Sequence, residues 1–138
     1  QAAFGLLQLD YIDSALLNRE KIYARYCEKL GNVPGIRLIS VPKNVTWNYA
    51  YCPIFVDSSF PVDREVLYEK LKEKNIYTRR YFYPLISSFP MYRGLESVIK
   101  NDLSVANYIS NMVLCLPIYA DLAEIEQDQI INEILSFL

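Results

Sequence analysis

The stretch MVLCLP, residues 112–117, places five apolar residues in a row before a proline. A short run that is apolar throughout is typical of a strand inside a sheet, buried on both faces. Helices are predicted on both sides of it. Before the run, Asn101 or Asp102 is a suitable cap for a helix that extends to about Ser110. After it, a helix begins near the capping-box pattern DLAE, and its core side carries Ile130, Ile131, Ile134 and Leu135.

Three further strands are predicted upstream. Residues 37–41 follow a turn and form a short strand. The segment WNYAYCPIFVD, residues 47–57, has strand composition, and its Pro53 favours an edge strand or a bulge. The segment IYTRRYF, residues 76–82, is predicted as the next strand, ended by Pro84.

One helix separates these strands. The segment PVDREVLYEKLKEKN, residues 61–75, predicts a helix with Asp63 as its N-cap and Asn75 as its stop. Leu67 and Leu71 mark its buried side. Strands that alternate with helices predict an α/β (α+β two-layer) domain, in which a small, mostly antiparallel sheet is covered by helices.

The first thirty residues are predicted to form a single long helix that ends near Gly31, a common C-cap residue. At about 1.5 Å per residue this helix is roughly 44 Å long. A compact domain of this size is only roughly 35–40 Å across. We therefore expect residues 1–30 to connect residues 31–138 to something outside them. The chain also opens without Met and already in a helical pattern, so we expect a fragment of a longer protein.

Composition excludes several classes of function. The chain has 138 residues, of which 52% are hydrophobic, so it is long enough to bury a core. It contains no histidine, which excludes His-based acid–base chemistry and His-ligated metals. A net charge of −2 argues against general binding of nucleic acids or anionic membranes. Three widely spaced cysteines and no apolar run of membrane-spanning length favour a cytoplasmic protein.

The stretch NIYTRRYFYP, residues 75–84, is the strongest candidate for a binding site. On a strand, alternate residues share a face, which separates the two arginines. One face carries Tyr77, Arg79, Tyr81 and Tyr83; the other carries Ile76, Thr78, Arg80 and Phe82. A guanidinium flanked by phenols can bind a phosphate or a sugar. The alternatives are a solvent-facing strand, with Arg80 simply solvated or paired, and a platform for single-stranded nucleic acid.

The loop that follows, YPLISSFPMYR, extends the aromatic character and adds Ser87. Aromatic loops after a strand end commonly line ligand pockets, although they can also form a packed lid. No residue is predicted to be catalytic, because all seven lysines lie in charged or loop settings that do not favour a Schiff base.

Four segments, taken in order, resemble the DegT/DnrJ/EryC1/StrS family of pyridoxal-phosphate-dependent nucleotide-sugar aminotransferases. They are QAAFGLLQLDYIDSALLNREKIYARYCEKL, NYAYCPIFVD, LKEKNIYTRRYFYPLISSFPMYRG and VLCLPIYADLAEIEQDQIINEI. The resemblance covers essentially the whole chain and implies the C-terminal small domain of a fold-type I enzyme. It also implies that the Schiff-base lysine and the other cofactor-binding residues lie in a large domain upstream.

The same resemblance implies that Arg79, Tyr81 and Tyr83 contact the nucleotide-linked keto-sugar. It implies the same of Asn48, on a less specific match. Many relatives carry a histidine after the proline–leucine pair, and here Ser87 or a neighbour takes that place. The resemblance further implies that glutamate is the amino donor and that the enzyme is a homodimer. It also implies that this part contacts the enzyme's own large domain and that the enzyme acts in surface polysaccharide synthesis. The fragment alone is expected to be inactive. The rival hypothesis is a free-standing small-molecule-binding or regulatory domain without catalysis.

Overall fold

The structure, a computed structural model, describes residues 1–100 and 103–138 of the chain. Within these residues a three-stranded antiparallel sheet is covered by helices, which confirms the predicted fold class. The strands are β1 (Ile36–Leu38), β2 (Cys52–Val56) and β3 (Val113–Leu116). The helices are α1 (Ala2–Leu9), α2 (Ile12–Leu30), α3 (Arg64–Glu73), α4 (Glu96–Lys100), α5 (Ser104–Met112) and α6 (Glu124–Leu135).

The core lies between the sheet and the helices α2, α3 and α6. All four residues of β3 are buried, as the apolar run predicted. The largest side chains with almost no exposure come from all of these elements: Tyr26, Leu30, Ile54, Leu67, Leu71, Leu114 and Ile134. Each such aliphatic side chain stabilises the fold by about 1.5–3 kcal/mol relative to an exposed position. Within the described residues, no helix is long and apolar enough to cross a membrane.

The predicted edge position of Pro53 is wrong, because β2 is the central strand of the order β1-β2-β3. Pro53 pairs with Cys115, whose backbone N–H and C=O both bond to Arg79 on the far side of β3. Pro53 and Cys115 are therefore a pair without mutual hydrogen bonds, and the nitrogen of Pro53 faces the β1 side. There β1 has already ended, since its last paired residue, Leu38, lies opposite Ile54. The missing N–H thus costs no ladder bond.

The single helix predicted over residues 1–30 is interrupted. The helix α1 ends at Leu9 and α2 begins at Ile12. Between them, the amides of Asp10 and Tyr11 donate to carbonyls only three residues back, at 3.3 and 3.1 Å. No residue of α1 is buried. Without packing on the rest of the chain, nothing holds the turn at residues 10–11 in regular α-helical geometry. The predicted end of the helix is confirmed, with Leu30 as the last residue of α2.

The helices on either side of the core match their predictions closely. In α3, the carboxylate of Asp63 accepts a hydrogen bond from the amide of Val66 at 2.8 Å, so Asp63 is the N-cap. Helix α6 begins slightly later than DLAE indicates. Its N-cap is Ala123, whose amide donates to the carboxylate of Glu126 at 3.1 Å. Alanine has no side-chain acceptor, so only this half of a capping box forms.

The strand predicted over residues 76–82 does not form. Only Arg79 pairs, through an isolated bridge to Cys115. If the pairing continued from this bridge, Tyr77 would lie opposite Pro117 as the next hydrogen-bonded pair. Proline has no N–H to donate, so that pair cannot form both of its hydrogen bonds. In the other direction the chain turns, with a positive φ of 49° at Phe82. The extended segment therefore stays short.

The segment before β3 also differs from the prediction. Helix α4 was not predicted, and α5 continues to Met112, slightly beyond Ser110. The proposed caps at Asn101 and Asp102 lie outside the described residues.

Candidate functional site

A cleft of about 340 Å³ opens where β2 begins and β3 ends. Tyr51 directly precedes β2, and residues 117–119 directly follow β3. The third wall comes from residues 77–79, which run along the free edge of β3. The lining residues are Ala50, Tyr51, Tyr77, Arg79, Cys115, Leu116, Pro117, Ile118 and Tyr119. The cleft thus joins three segments that are far apart in the sequence.

Arg79 is the charged residue of this lining. Both backbone polar groups of Arg79 are bonded, because its amide donates to the carbonyl of Cys115 at 3.0 Å and its carbonyl accepts from the amide of Cys115 at 2.8 Å. Its side chain is exposed. Within residues 1–100 and 103–138, the guanidinium makes no ion pair or hydrogen bond. A fixed backbone with an uncommitted guanidinium is suited to an anionic ligand.

The alternation predicted for this stretch is right over residues 76–79. Ile76 and Thr78 are buried at 7% exposure, whereas Tyr77 is 69% exposed and lines the cleft beside Arg79. Arg80 does not line the cleft, which agrees with its predicted place on the other face. The side chain of Arg80 is half-buried, and its guanidinium pairs with the carboxylate of Glu65. Of the two alternatives for Arg80, solvated or paired, the structure shows the paired one.

Tyr81 reaches the cleft indirectly. Its ring packs against the ring of Tyr51, with centroids 5.0 Å apart and an interplanar angle of 57°. It also packs against Phe82, with centroids 4.3 Å apart. Since Tyr51 lines the cleft and Tyr81 does not, Tyr81 supports a wall of the cleft.

Three other candidate residues do not line the cleft. The ring of Tyr83 lies under two guanidinium groups, 4.4 Å from that of Arg64 and 5.6 Å from that of Arg80. Ser87 is half-buried in the 3-10 turn Ile86–Ser88. Asn48 is exposed, and its side-chain oxygen accepts from the amide of Ala50 at 3.1 Å, which orients the turn that leads into the cleft.

Two tyrosines of the cleft, Tyr51 and Tyr119, were missed from the sequence. The available signal was their position, since each lies just outside a buried strand, where binding loops commonly occur. The hydroxyl of Tyr119 donates to the carboxylate of Glu126 at 3.4 Å. Burial, and then the negative charge of Glu126, raise the pKa of Tyr119 above its ordinary value. Tyr119 therefore offers a neutral phenol at physiological pH.

Cys115 forms part of the floor but is not a nucleophile. Burial raises its pKa to about 11, although the positive charge of Arg79 acts in the opposite direction. The thiol is therefore protonated at neutral pH, and thiols react as thiolates. Cys115 therefore contributes to the shape and the low polarity of the cleft floor.

A second hollow of about 420 Å³ adjoins the cleft. The two share Tyr77, Pro117 and Tyr119 as a common wall. Its own lining is mixed: Lys74, Asn75, Ile76, Leu122, Glu126, Gln129 and Ile130. An elongated ligand bound at Arg79 has room to extend past Tyr77 and Tyr119.

The lysines whose side chains the structure describes lie on the surface. These six side chains are all exposed. Ammonium groups pair with carboxylates in three cases: Lys29 with Glu28 at 2.9 Å, Lys70 with Glu73 at 2.9 Å and Lys72 with Glu69 at 3.6 Å. A Schiff-base lysine requires a desolvated or otherwise activating environment, which none of the six has. The absence of a Schiff-base lysine from this chain stays a prediction.

Comparison with known sequences extends these observations. Residues 1–135 match the model of the DegT/DnrJ/EryC1/StrS aminotransferase family. The chain is 47% identical over 123 residues to a dTDP-4-amino-4,6-dideoxy-D-glucose transaminase from Escherichia coli. It is 39% identical over 133 residues to an enzyme of the same description from Shigella dysenteriae. These matches cover 89% and 96% of this chain but only 33% and 36% of the relatives.

Solved structures of aminotransferases share the fold. The aminotransferase TlmJ from Streptoalloteichus hindustanus superposes with a TM-score of 0.85 at 25% identity, over 99% of this chain and 35% of that one. DesI, crystallised in the presence of its TDP-sugar product, superposes with a TM-score of 0.87 at 24% identity, over 99% and 34%. The chain thus spans about a third of the length of the proteins it matches.

Proposed function

Because the chain belongs to the DegT/DnrJ/EryC1/StrS aminotransferase family, we propose that it is the C-terminal part of a pyridoxal-phosphate-dependent nucleotide-sugar aminotransferase. In this proposal the part described here binds the nucleotide-linked keto-sugar, and a larger domain outside it carries the cofactor and its lysine. The expected amino donor is glutamate, and the expected setting is cytoplasmic synthesis of surface polysaccharide.

The observation that carries the proposal is the uncommitted guanidinium of Arg79 in a cleft with tyrosine walls. Two adjacent phosphates present several oxygens, and guanidinium is the side chain best suited to bind them with two parallel hydrogen bonds. Tyr51 and Tyr77 add aromatic faces and hydroxyls for a sugar or a base. We therefore assign the diphosphate of the substrate to Arg79.

The names of the two relatives favour a particular substrate. Both are described as transaminases of dTDP-4-amino-4,6-dideoxy-D-glucose, a dTDP-linked sugar with an amino group at position 4. We propose a dTDP-linked 4-keto-6-deoxy sugar as the substrate here, rather than a 3-keto sugar. The hollow beyond Tyr77 and Tyr119 leaves room for the thymidine end of such a molecule.

The residues of this chain have a binding role in the reaction. Pyridoxal phosphate, when bound in the complete enzyme, supplies the electron sink for amino transfer. Arg79 orients the substrate by its diphosphate, and Tyr51, held by Tyr81, forms a wall beside it. The neutral Cys115 and the apolar residues of β3 exclude water from the floor. Orientation of this kind contributes to the rate by lowering the entropic cost of reaching the reactive geometry.

The proposal also gives a partner to the exposed apolar residues near the N-terminus. Phe4, Leu7, Leu9 and Tyr11 are between 55% and 65% exposed. Large apolar side chains grouped in this way mark a surface that packs on another protein unit. We propose that α1 and the turn that follows it pack on the large domain or on the second subunit of a homodimer.

The direct test is a comparison of variants in the full-length protein. Arg79→Ala is expected to lower kcat/KM for a dTDP-linked keto-sugar by about 10- to 100-fold, since hydrogen bonds to charged groups contribute about 1.5–3 kcal/mol. The matched control is Arg37→Ala, because Arg37 is also exposed but lies on β1, over the ring of Phe55. Unchanged kinetics in Arg79→Ala would remove this residue from the site.

The rival hypothesis of a binding domain without catalysis makes a different prediction. A dTDP-sugar would then bind at Arg79, but no amino transfer would occur in the full-length protein loaded with pyridoxal phosphate and glutamate. Detection of an amino-sugar product by mass spectrometry excludes that rival.

A further inference from the structure

Arg64 is a buried arginine that does not line the cleft. It is 4% exposed and is the first residue of α3. Its Nε donates to the carbonyl of Asn111 at 3.1 Å, and its Nη2 donates to the carbonyl of Ser110 at 3.3 Å. Both carbonyls belong to the last turn of α5, where the helix dipole favours a positive charge. The buried charge of Arg64 therefore ties α3 to α5.

Glu65 links Arg64 to the stretch that carries the binding site. One oxygen of its carboxylate accepts from Nη1 of Arg64 at 2.8 Å. The other oxygen accepts from Nη1 of Arg80, which is fifteen residues away in the sequence, at 2.5 Å. A single carboxylate thus bridges two guanidinium groups.

Two tyrosines complete the arrangement. The guanidinium of Arg80 lies 4.5 Å from the ring centroid of Tyr68 on α3 and 5.6 Å from that of Tyr83. The ring of Tyr83 also lies 4.4 Å from the guanidinium of Arg64. Arginine over an aromatic face is stabilised by the quadrupole of the ring, more strongly when the pair is shielded from water. Arg80 is therefore held by a carboxylate and by two rings.

Arg79 and Arg80 are thus anchored on opposite sides. The backbone of Arg79 is bonded to Cys115 on β3, while the side chain of Arg80 is bonded to Glu65 on α3. These constraints act on consecutive residues just where the chain leaves its extended course for the turn at Phe82. Without the second constraint, only one bridge of the sheet would define where Arg79 points.

We infer that Glu65, Arg64, Arg80 and Tyr83 are positioning residues that fix the backbone from which the guanidinium of Arg79 reaches the substrate cleft. This inference rests on the proposed function, since it assigns substrate binding to Arg79. None of the four residues lines the cleft. Their effect on the substrate passes through Arg79, and Tyr83 changes from a substrate-binding candidate to part of this support.

The test uses Glu65→Gln in the full-length protein, with thymidine diphosphate as the probe in isothermal titration calorimetry. Loss of the carboxylate charge releases Arg80, and we expect the Kd to rise about three- to tenfold, because small displacements of a binding group are costly. The matched control is Glu69→Gln, one turn later on α3, whose carboxylate pairs only with exposed Lys72 among the described contacts. That variant should bind as the parent does.

A double variant separates positioning from a general loss of stability. In the Arg79→Ala background, Glu65→Gln should have no further effect on the Kd, since residues that act through one another are not additive. An equal loss in both backgrounds would overturn the inference. If Glu65→Gln does not fold, Arg80→Lys takes its place, because lysine keeps the charge but loses the planar fork.

The two proposals fail in different ways. If Arg79→Ala weakens binding of thymidine diphosphate but Glu65→Gln and Arg80→Lys do not, the positioning role is wrong and the proposed function stands. If Arg79→Ala itself binds as the parent does, the assignment of the substrate to Arg79 is wrong, and the positioning role falls with it.

Discussion

The amide of Arg79 donates to the carbonyl of Cys115 at 3.0 Å, and the amide of Cys115 donates back to Arg79 at 2.8 Å. This exchange attaches the extended segment 77–79 to the outer edge of β3 at a single point. It places an exposed guanidinium beside Tyr77 and above the end of a fully buried strand. This pair of hydrogen bonds therefore sets one of the three walls of the cleft.

Replacement of Arg79 by lysine tests whether the fork or the charge of the side chain matters. Lysine keeps the positive charge but cannot make two parallel hydrogen bonds to a diphosphate. In the full-length protein, we expect Arg79→Lys to have a KM for the dTDP-sugar between those of the parent and Arg79→Ala, with kcat less affected. Steady-state kinetics measure this directly. Equal KM values for the lysine variant and the parent would show that charge alone is sufficient.

The N-cap of α3 gives a prediction about stability. Asp63→Ala removes the side-chain acceptor of the amide of Val66, and we expect a loss of about 1 kcal/mol in the free energy of unfolding. The control is Asp121→Ala. Asp121 begins the pattern DLAE, but the N-cap of α6 is Ala123. Urea denaturation should therefore show a smaller effect for Asp121→Ala, and an equal loss would contradict the observed cap.

The sequence predicted those elements whose signals are local. The N-cap of α3 and the apolar faces of α3 and α6 depend on residues within a few positions of one another, and all were found. Pairing between strands is not local. Pro53 is tolerated in the central strand only because β1 ends at Leu38 and Cys115 is turned towards Arg79, and the sequence shows neither fact.

The candidate site was predicted in part for the same reason. Alternation placed Arg79 with Tyr77 correctly, because it holds while the backbone stays extended. The alternation failed to predict the position of Tyr83, because the chain turns at Phe82, the residue before it, which has a positive φ. Tyr51 comes from another strand, and only the register of the sheet brings it to Tyr81.

Two glycines give opposite predictions for the same substitution. Gly35 has a φ of 79°, and a Cβ there would lie 2.0 Å from the backbone nitrogen of Phe60. We expect Gly35→Ala to lower the free energy of unfolding by about 2–4 kcal/mol, since both backbone strain and a clash with buried backbone result. Gly94→Ala is the control, because a Cβ there meets nothing within 4 Å. Thermal denaturation of the two variants should separate them clearly, and equal melting temperatures would contradict the tight turn at Gly35.

Stability is expected to fall at alkaline pH because buried thiols and phenols resist ionisation. Burial raises the pKa of Cys115 from 9.0 to about 11, and it raises the pKa values of Tyr23, Tyr26 and Cys52 further. Above an unfolded-state pKa of 9.0, the unfolded chain releases a proton from Cys115 that the folded chain retains. The contribution of Cys115 is therefore fully present below about pH 9 and is lost as the pH rises towards 11.

For each such group, the free energy of unfolding falls by up to about 1.4 kcal/mol per pH unit. Urea denaturation at several pH values between 8 and 11 measures it, and Cys115→Ala is the informative variant. Although this variant is less stable overall, its stability should fall less steeply between pH 9 and 11 than that of the parent. Identical slopes for the two proteins would show that the thiol of Cys115 ionises as readily in the folded chain as in the unfolded chain.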